Sequence, residues 1–312
     1  MLQPSMVTRT VRQAVPVAVA LLVFALVARA ASDSGGAPAD TSLPQVTVEA
    51  KRQALESRVR EFLATSVSTE DGGAVPRWGT RVCPAVVGFS KDGGEYIAAR
   101  LSQIARTAGV PLDGEHCSPP NLYVLATVNP TEFLKKWAGM HHWMMFGDAM
   151  PHDINAFVDA SRPVRSWYNT AEGGADRMIG SAETAAGGKA GGNIHAPKFG
   201  SEGSSRLVRS VIWSVRSVLV VIDKTRMQGV SRDQLADYVA MCAFARIKAG
   251  AKLGDAPTIL TLFEGPAGQA PAGLTAWDQA FLESLYHTDP KSTMQRQMIV
   301  TRMVSHIIPA NP

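Results

Sequence analysis

Arg81-Val-Cys-Pro-Ala-Val-Val-Gly-Phe89, then Lys91-Asp-Gly-Gly94, then Ile97, Leu101, Ile104 and Ala105, then Leu122-Tyr-Val-Leu-Ala-Thr-Val128: this run decides the fold. The first and last blocks are short apolar runs rich in β-branched residues and read as strands. The four apolar residues between them recur at three- and four-residue intervals, which puts them on one face of a helix. Gly109 and Pro111 stop that helix. Strand, helix and strand within about 50 residues predict a right-handed βαβ crossover between parallel strands. Asp92 and Glu95 surround the Gly-Gly pair with negative charge, so it reads as a turn and not as a phosphate cradle.

Towards the C-terminus, Asn129-Pro130 ends the second strand, and a helix follows through Phe133, Leu134, Trp137 and Met140. Arg162 to Trp167 reads as a short strand. Residues 171–205 hold nine glycines without periodicity and are expected to form a loose loop. Residues 206–222 are the most strand-prone segment. Val211, Trp213 and Val215 alternate with Ser210, Ile212 and Ser214, and Val218 to Ile222 is continuously apolar, which predicts one long strand or two with a bend. Arg206, Arg209, Arg216, Lys224 and Arg226 mark either a solvated edge strand or a strip for an anionic ligand. Ser231-Arg-Asp-Gln234 is a capping-box spacing, opening a helix with Leu235, Val239, Cys242, Ala243 and Phe244. Pro257 to Phe263 is a further apolar segment. Thr275-Ala-Trp-Asp278 caps another helix, and a last one runs to about Ile307.

Towards the N-terminus, Leu55, Val59, Phe62 and Leu63 line one face of a helix between 48 and 67. The fold class is therefore α/β or α+β: a mixed sheet with flanking helices, as a single globular domain over 75–308 preceded by a helix and linker at 48–74. Residues 31–47 read as a flexible tether. Residues 1–30 read as a signal peptide, with Arg9 and Arg12 before an apolar stretch from Ala14 to Ala28 and a small-x-small site at Ala28-Arg29-Ala30. Retention of that segment as an anchor is the alternative. The expected location is periplasmic or secreted, with no membrane span after cleavage.

The 312 residues are 46% hydrophobic and 19% charged, which excludes a polytopic membrane protein and a disordered charged chain. The net charge of +4 belongs mostly to the leader, whose three arginines face no acidic residue. Without them 28 basic side chains face 27 acidic ones, which leaves no electrostatic footprint for nucleic acid. Export gives the three cysteines meaning. Cys83 and Cys117 each stand by a predicted strand and would meet if those strands are neighbours. Cys242 reads as a buried thiol.

No HExxH, Gly-x-Ser-x-Gly or Cys-x-x-Cys occurs, and with no complete phosphate loop either, the easily recognised hydrolases and NTPases are excluded, though not an enzyme with dispersed residues. Gly187-Gly-Lys-Ala190 lacks the first glycine and the Ser or Thr of a phosphate loop. His141, His142, His152 and Asp153, interleaved with Met140, Met144 and Met145, form a candidate copper or zinc set. Core-filling methionines with solvated histidines are the plainer reading, under which no cofactor is expected. Dispersed carboxylates such as Asp223, Asp237 and Glu264 are the candidates for a hydrolase.

Arg206 to Ile247, followed by Leu274-Thr-Ala-Trp-Asp-Gln-Ala-Phe-Leu-Glu-Ser-Leu-Tyr-His-Thr-Asp-Pro290, resembles a group of uncharacterised secreted bacterial proteins related to zinc metallopeptidases, the zincins. In that architecture a strand run leads into the helix that carries the metal ligands, and a short LT-x-x-D helix follows. At the positions of the His-Glu pair and the second His, this chain has Ala236, Asp237 and Ala240. The resemblance therefore implies a zincin-like C-terminal half without the usual catalytic metal. The expected function is non-catalytic binding or scaffolding, with an envelope protein or a cell-surface polymer as partner. A carboxylate hydrolase and a His/Met metal-binding protein are the alternatives.

Overall fold

The computed structural model describes residues 43–114, 117–147, 149–174, 208–209, 211–265 and 269–308, with the backbone alone for 43–47 and 141–145. The segment read as a signal peptide, most of the segment read as a tether and residues 175–205 lie outside these described residues. Helix α1 (Leu43–Ser66) starts earlier than its apolar stripe predicts and buries Leu55, Val59, Phe62 and Leu63. Phe62 meets Trp277 and Phe281 edge-on, at 5.5 and 5.4 Å between ring centroids, so this helix belongs to the main core and is not an appendage.

The βαβ unit follows. After the two-residue β1 (Arg77–Trp78) come β2 (Pro84–Val87), α2 (Lys91–Ala108) and β3 (Leu122–Thr127). Ser90 caps α2 by accepting from the Gly93 amide, and Gly109 closes it at φ 79°, where a side chain would be strained. β2 and β3 pair in parallel, Pro84 opposite Leu122 through Val87 opposite Leu125. β2 is shorter than its apolar run because Gly88 turns out of the sheet at φ 86°. A Cβ there would lie 2.0 Å from the Ala126 carbonyl oxygen. The Cys83–Cys117 disulfide sits at the start of this strand pair, where the Cys83 amide donates to Asn121 Oδ1 at 2.8 Å.

The remaining elements are α3 (Pro130–Phe146), α4 (Pro151–Val158), β4 (Val164–Gly174), β5 (Val211–Asp223), α5 (Arg232–Phe244), α6 (Ala276–His287) and α7 (Gln295–Ile307). The sheet runs β2-β3-β5-β4, with β1 also parallel to β5 at Ser214 and Val215. β3 and β5 are parallel and β4 is antiparallel, so the fold is mixed α/β. β5 lies inside the sheet, which corrects the edge-strand reading of its arginines. Arg216 reaches solvent by another route. A bulge against Asn169 and Thr170 leaves it unpaired, and the alternation inverts around it: Val215 faces the main core, as do Val218, Val220 and Ile222. Arg209 stands outside the strand and donates to the Ser292 and Gly72 carbonyls.

β4 is longer than predicted and takes in residues 171–174, the start of the glycine-rich segment. Leu122, Val124 and Ala126 join the main core with residues of α1, α2, α5, α6 and α7. On the other face, Leu125, Leu219 and Val221 pack with Leu134, Phe146, Ile154 and Phe157 of α3 and α4. Each fully buried aliphatic or aromatic side chain stabilises this three-layer arrangement by about 1.5–3 kcal/mol.

Candidate functional site

Helix α5 begins with the predicted capping box, in which Ser231 and Gln234 each accept from the other's amide. From Val239 to Phe244 every residue is buried, as are Ala236 and Asp237. The Asp237 carboxylate takes Arg100 Nε at 2.6 Å, Arg100 Nη2 at 2.9 Å and the Leu274 amide at 2.6 Å. Those three donors use both oxygens and tie α5 to α2 and to the segment before α6. Gly273 is required beside them, since a Cβ would stand 2.7 Å from Asp237 Oδ2. Asp237 thus holds elements together.

The neighbouring face of α5 borders open space. Tyr238 and Cys242, one turn apart, line a cavity of about 1300 Å³ together with an unbroken run from Ala160 to Thr170. Successive strand residues point to opposite faces of a sheet, so a cavity touching all of them follows the strand's edge. It is a trench. The edge of β4 forms its floor, α4 with Asp153, Ala156 and Phe157 forms one wall, and Arg246–Ala251 with Phe263 and Glu264 forms the other. Among the described residues β4 pairs with β5 alone.

Five basic side chains line the trench, Arg162, Arg165, Arg226, Arg246 and Lys248, against two acidic ones, Asp153 and Glu264. Arg246 pairs with Glu70, and Lys248 donates to the Ala64 carbonyl at 2.6 Å. Arg162 and Arg226 make no ion pair or hydrogen bond among the described residues. Burial raises the carboxyl pKa of Glu264, pushes the Cys242 thiol up to about 12 and holds the Tyr238 phenol protonated. The wall of α5 is therefore neutral, and its cysteine is a thiol without nucleophilic character.

The structure does not gather the three candidate carboxylates. Glu264 lines the trench, Asp237 is sequestered against Arg100, and Asp223 ends β5 by accepting from the Thr225 amide and hydroxyl. Of the candidate metal ligands, His152 and Asp153 form an exposed pair at 3.0 Å on α4. His141 and His142 fall in α3, with side chains outside the described residues. Among the described residues no group of three or more His, Cys, Asp or Glu side chains converges, and no helix is long and apolar enough to cross a membrane.

The residues that sequence reasoning missed are the distant partners. Arg100 stands 137 positions from Asp237, and nothing local marks the pairing. Asp278 was legible as a helix cap, but its buried carboxylate also takes the Thr258 hydroxyl and the Ile259 amide. Comparison with family models, with curated proteins and with solved structures finds no match for this chain.

Proposed function

We propose that the protein is an exported binding or scaffolding protein of the cell envelope, with a zincin-like scaffold and no chemistry on α5. The trench along β4 is the observation that carries this reading. A strand edge lying between two walls offers main-chain donors and acceptors to an extended segment, while the walls read its side chains. Two further features support it. The positions where zincins keep their ligands are held here by Ala236, Asp237 and Ala240, all buried within the protein. The Cys83–Cys117 bridge suits an oxidising compartment.

The test is site-specific photo-crosslinking in the producing cell. A photoreactive residue at Ala156 or Ser161, both exposed trench positions, is expected to give adducts on one contiguous segment of one envelope partner. The same group at Gln297, on the exposed side of α7, is expected to give none. Equal labelling at all three positions, or none in the trench, overturns the proposal. A hydrolase reading draws on Glu264, whose raised pKa suits a general acid. It predicts that the trapped segment is cut by the wild-type chain and stays intact with Glu264→Gln.

A further inference from the structure

We propose that the trench selects an extended acidic peptide, with a carboxylate of the partner seated at the end of β4 marked by Arg162, Arg165 and Arg226. This rests on the trench being the binding surface and adds the chemistry of its occupant.

The three arginines belong to one end of the trench. The Asp223 amide donates to the Pro163 carbonyl at 2.8 Å, which fixes the end of β5, and with it the turn carrying Arg226, against the start of β4. Arg165 is 7% exposed, and its guanidinium contacts only neutral acceptors: the Val158 carbonyl at 2.5 Å and Thr131 Oγ1 at 3.1 Å. Its Nε is buried with no hydrogen-bond partner, and no carboxylate lies within ion-pair distance among the described residues. Asp223 and Asp159 act on it from farther off, while Arg226 opposes its charge. A buried cation whose direct contacts are neutral, with its carboxylates farther off, is costly, and a carboxylate arriving in the trench lowers that cost through its charge. Arg226 is exposed and its charge adds to that of Arg165, while Arg162 is exposed on the Gly250 side of the trench, so a carboxylate lying on the strand edge meets positive charge from both walls.

A peptide fits better than an acidic polysaccharide. The floor presents amide and carbonyl groups with the two-residue repeat of a strand, and a second strand matches that repeat. A uronic-acid chain brings the charge without the matching main chain.

The experiment uses the full chain after removal of its leader, with fluorescence anisotropy of a fluorescein-labelled peptide of alternating Glu and Thr, about a dozen residues long. The Glu-Thr peptide is expected to bind, and matched Gln-Thr and Lys-Thr peptides to bind at least about tenfold more weakly. Arg162→Gln/Arg226→Gln, which removes two exposed side chains and leaves the core intact, is expected to weaken Glu-Thr binding at least about tenfold. Arg165→Met tests the buried group, with circular dichroism to establish that it folds. Unchanged binding by the double variant overturns the proposal, as does equal affinity for polygalacturonate. Trench crosslinks that map to a neutral partner segment would sink the acidic preference and leave the trench standing. Absence of trench crosslinks would sink both.

Discussion

Asp237 gives up contact with water to bind Arg100 and the Leu274 amide, and removing either partner leaves a charge inside the protein. Arg100→Met is expected to cost about 2–3 kcal/mol, read from urea denaturation midpoints. That is below the ~3–5 kcal/mol for a fully buried pair because Arg100 keeps part of its side chain in solvent. Arg100→Met/Asp237→Asn is expected to recover much of the loss, since the stranded charge is gone. At this scale the sequence is least informative. Asp237 is visible as an acid on an apolar helix, but whether it faces a cleft or an arginine depends on α2 packing against α5. The same holds for Arg165, which local alternation places on β4 without saying that its neighbours are carbonyl and hydroxyl oxygens.

The elements were largely legible where their signals are local. The parallel β2–α2–β3 unit follows from the change of apolar period from strand to helix and back, and the caps of α5 and α6 follow from spacings of three residues. What sequence could not give was β4 running on through Ala171–Gly174, because pairing with β5 overrides the low strand propensity of glycine. The bulge at Arg216 was equally hidden, since it depends on the register of the partner strand. Asp278 joins both kinds of signal, capping α6 and holding the 258–259 turn through four donors. Burial raises its pKa despite those donors. Its folded-state pKa thus lies above the unfolded one, so its protonation stabilises the fold. That contribution is full below the unfolded pKa and is lost as pH rises through the folded one. Between pH ~7 and ~4, the wild-type denaturation midpoint is therefore expected to gain on that of Asp278→Asn as the pH falls.

The whole molecule hangs its longest covalent constraint on the first strand pair. The Cys83–Cys117 bridge spans 34 residues. Cys83→Ser/Cys117→Ser is expected to lower stability by about 3–4 kcal/mol in the chain-entropy description, measured by denaturant titration against the oxidised wild type. The pairing was legible because two strands predicted as neighbours carry the two cysteines at one end. The trench was not legible at all. Its floor, walls and cations come from segments far apart in the sequence, and only the completed sheet brings them together. Cys242 has a consequence on the same scale. Three thiols allow three pairings, of which one is native, so a chain oxidised before it packs can trap the wrong crosslink. Once α5 docks, the third sulfur is shut inside the wall as an inert thiol, and the assembly order of the layers then decides which bond survives. Under oxidising conditions, a chain slow to seat that helix would accumulate scrambled isomers, even with every contact of the finished structure intact.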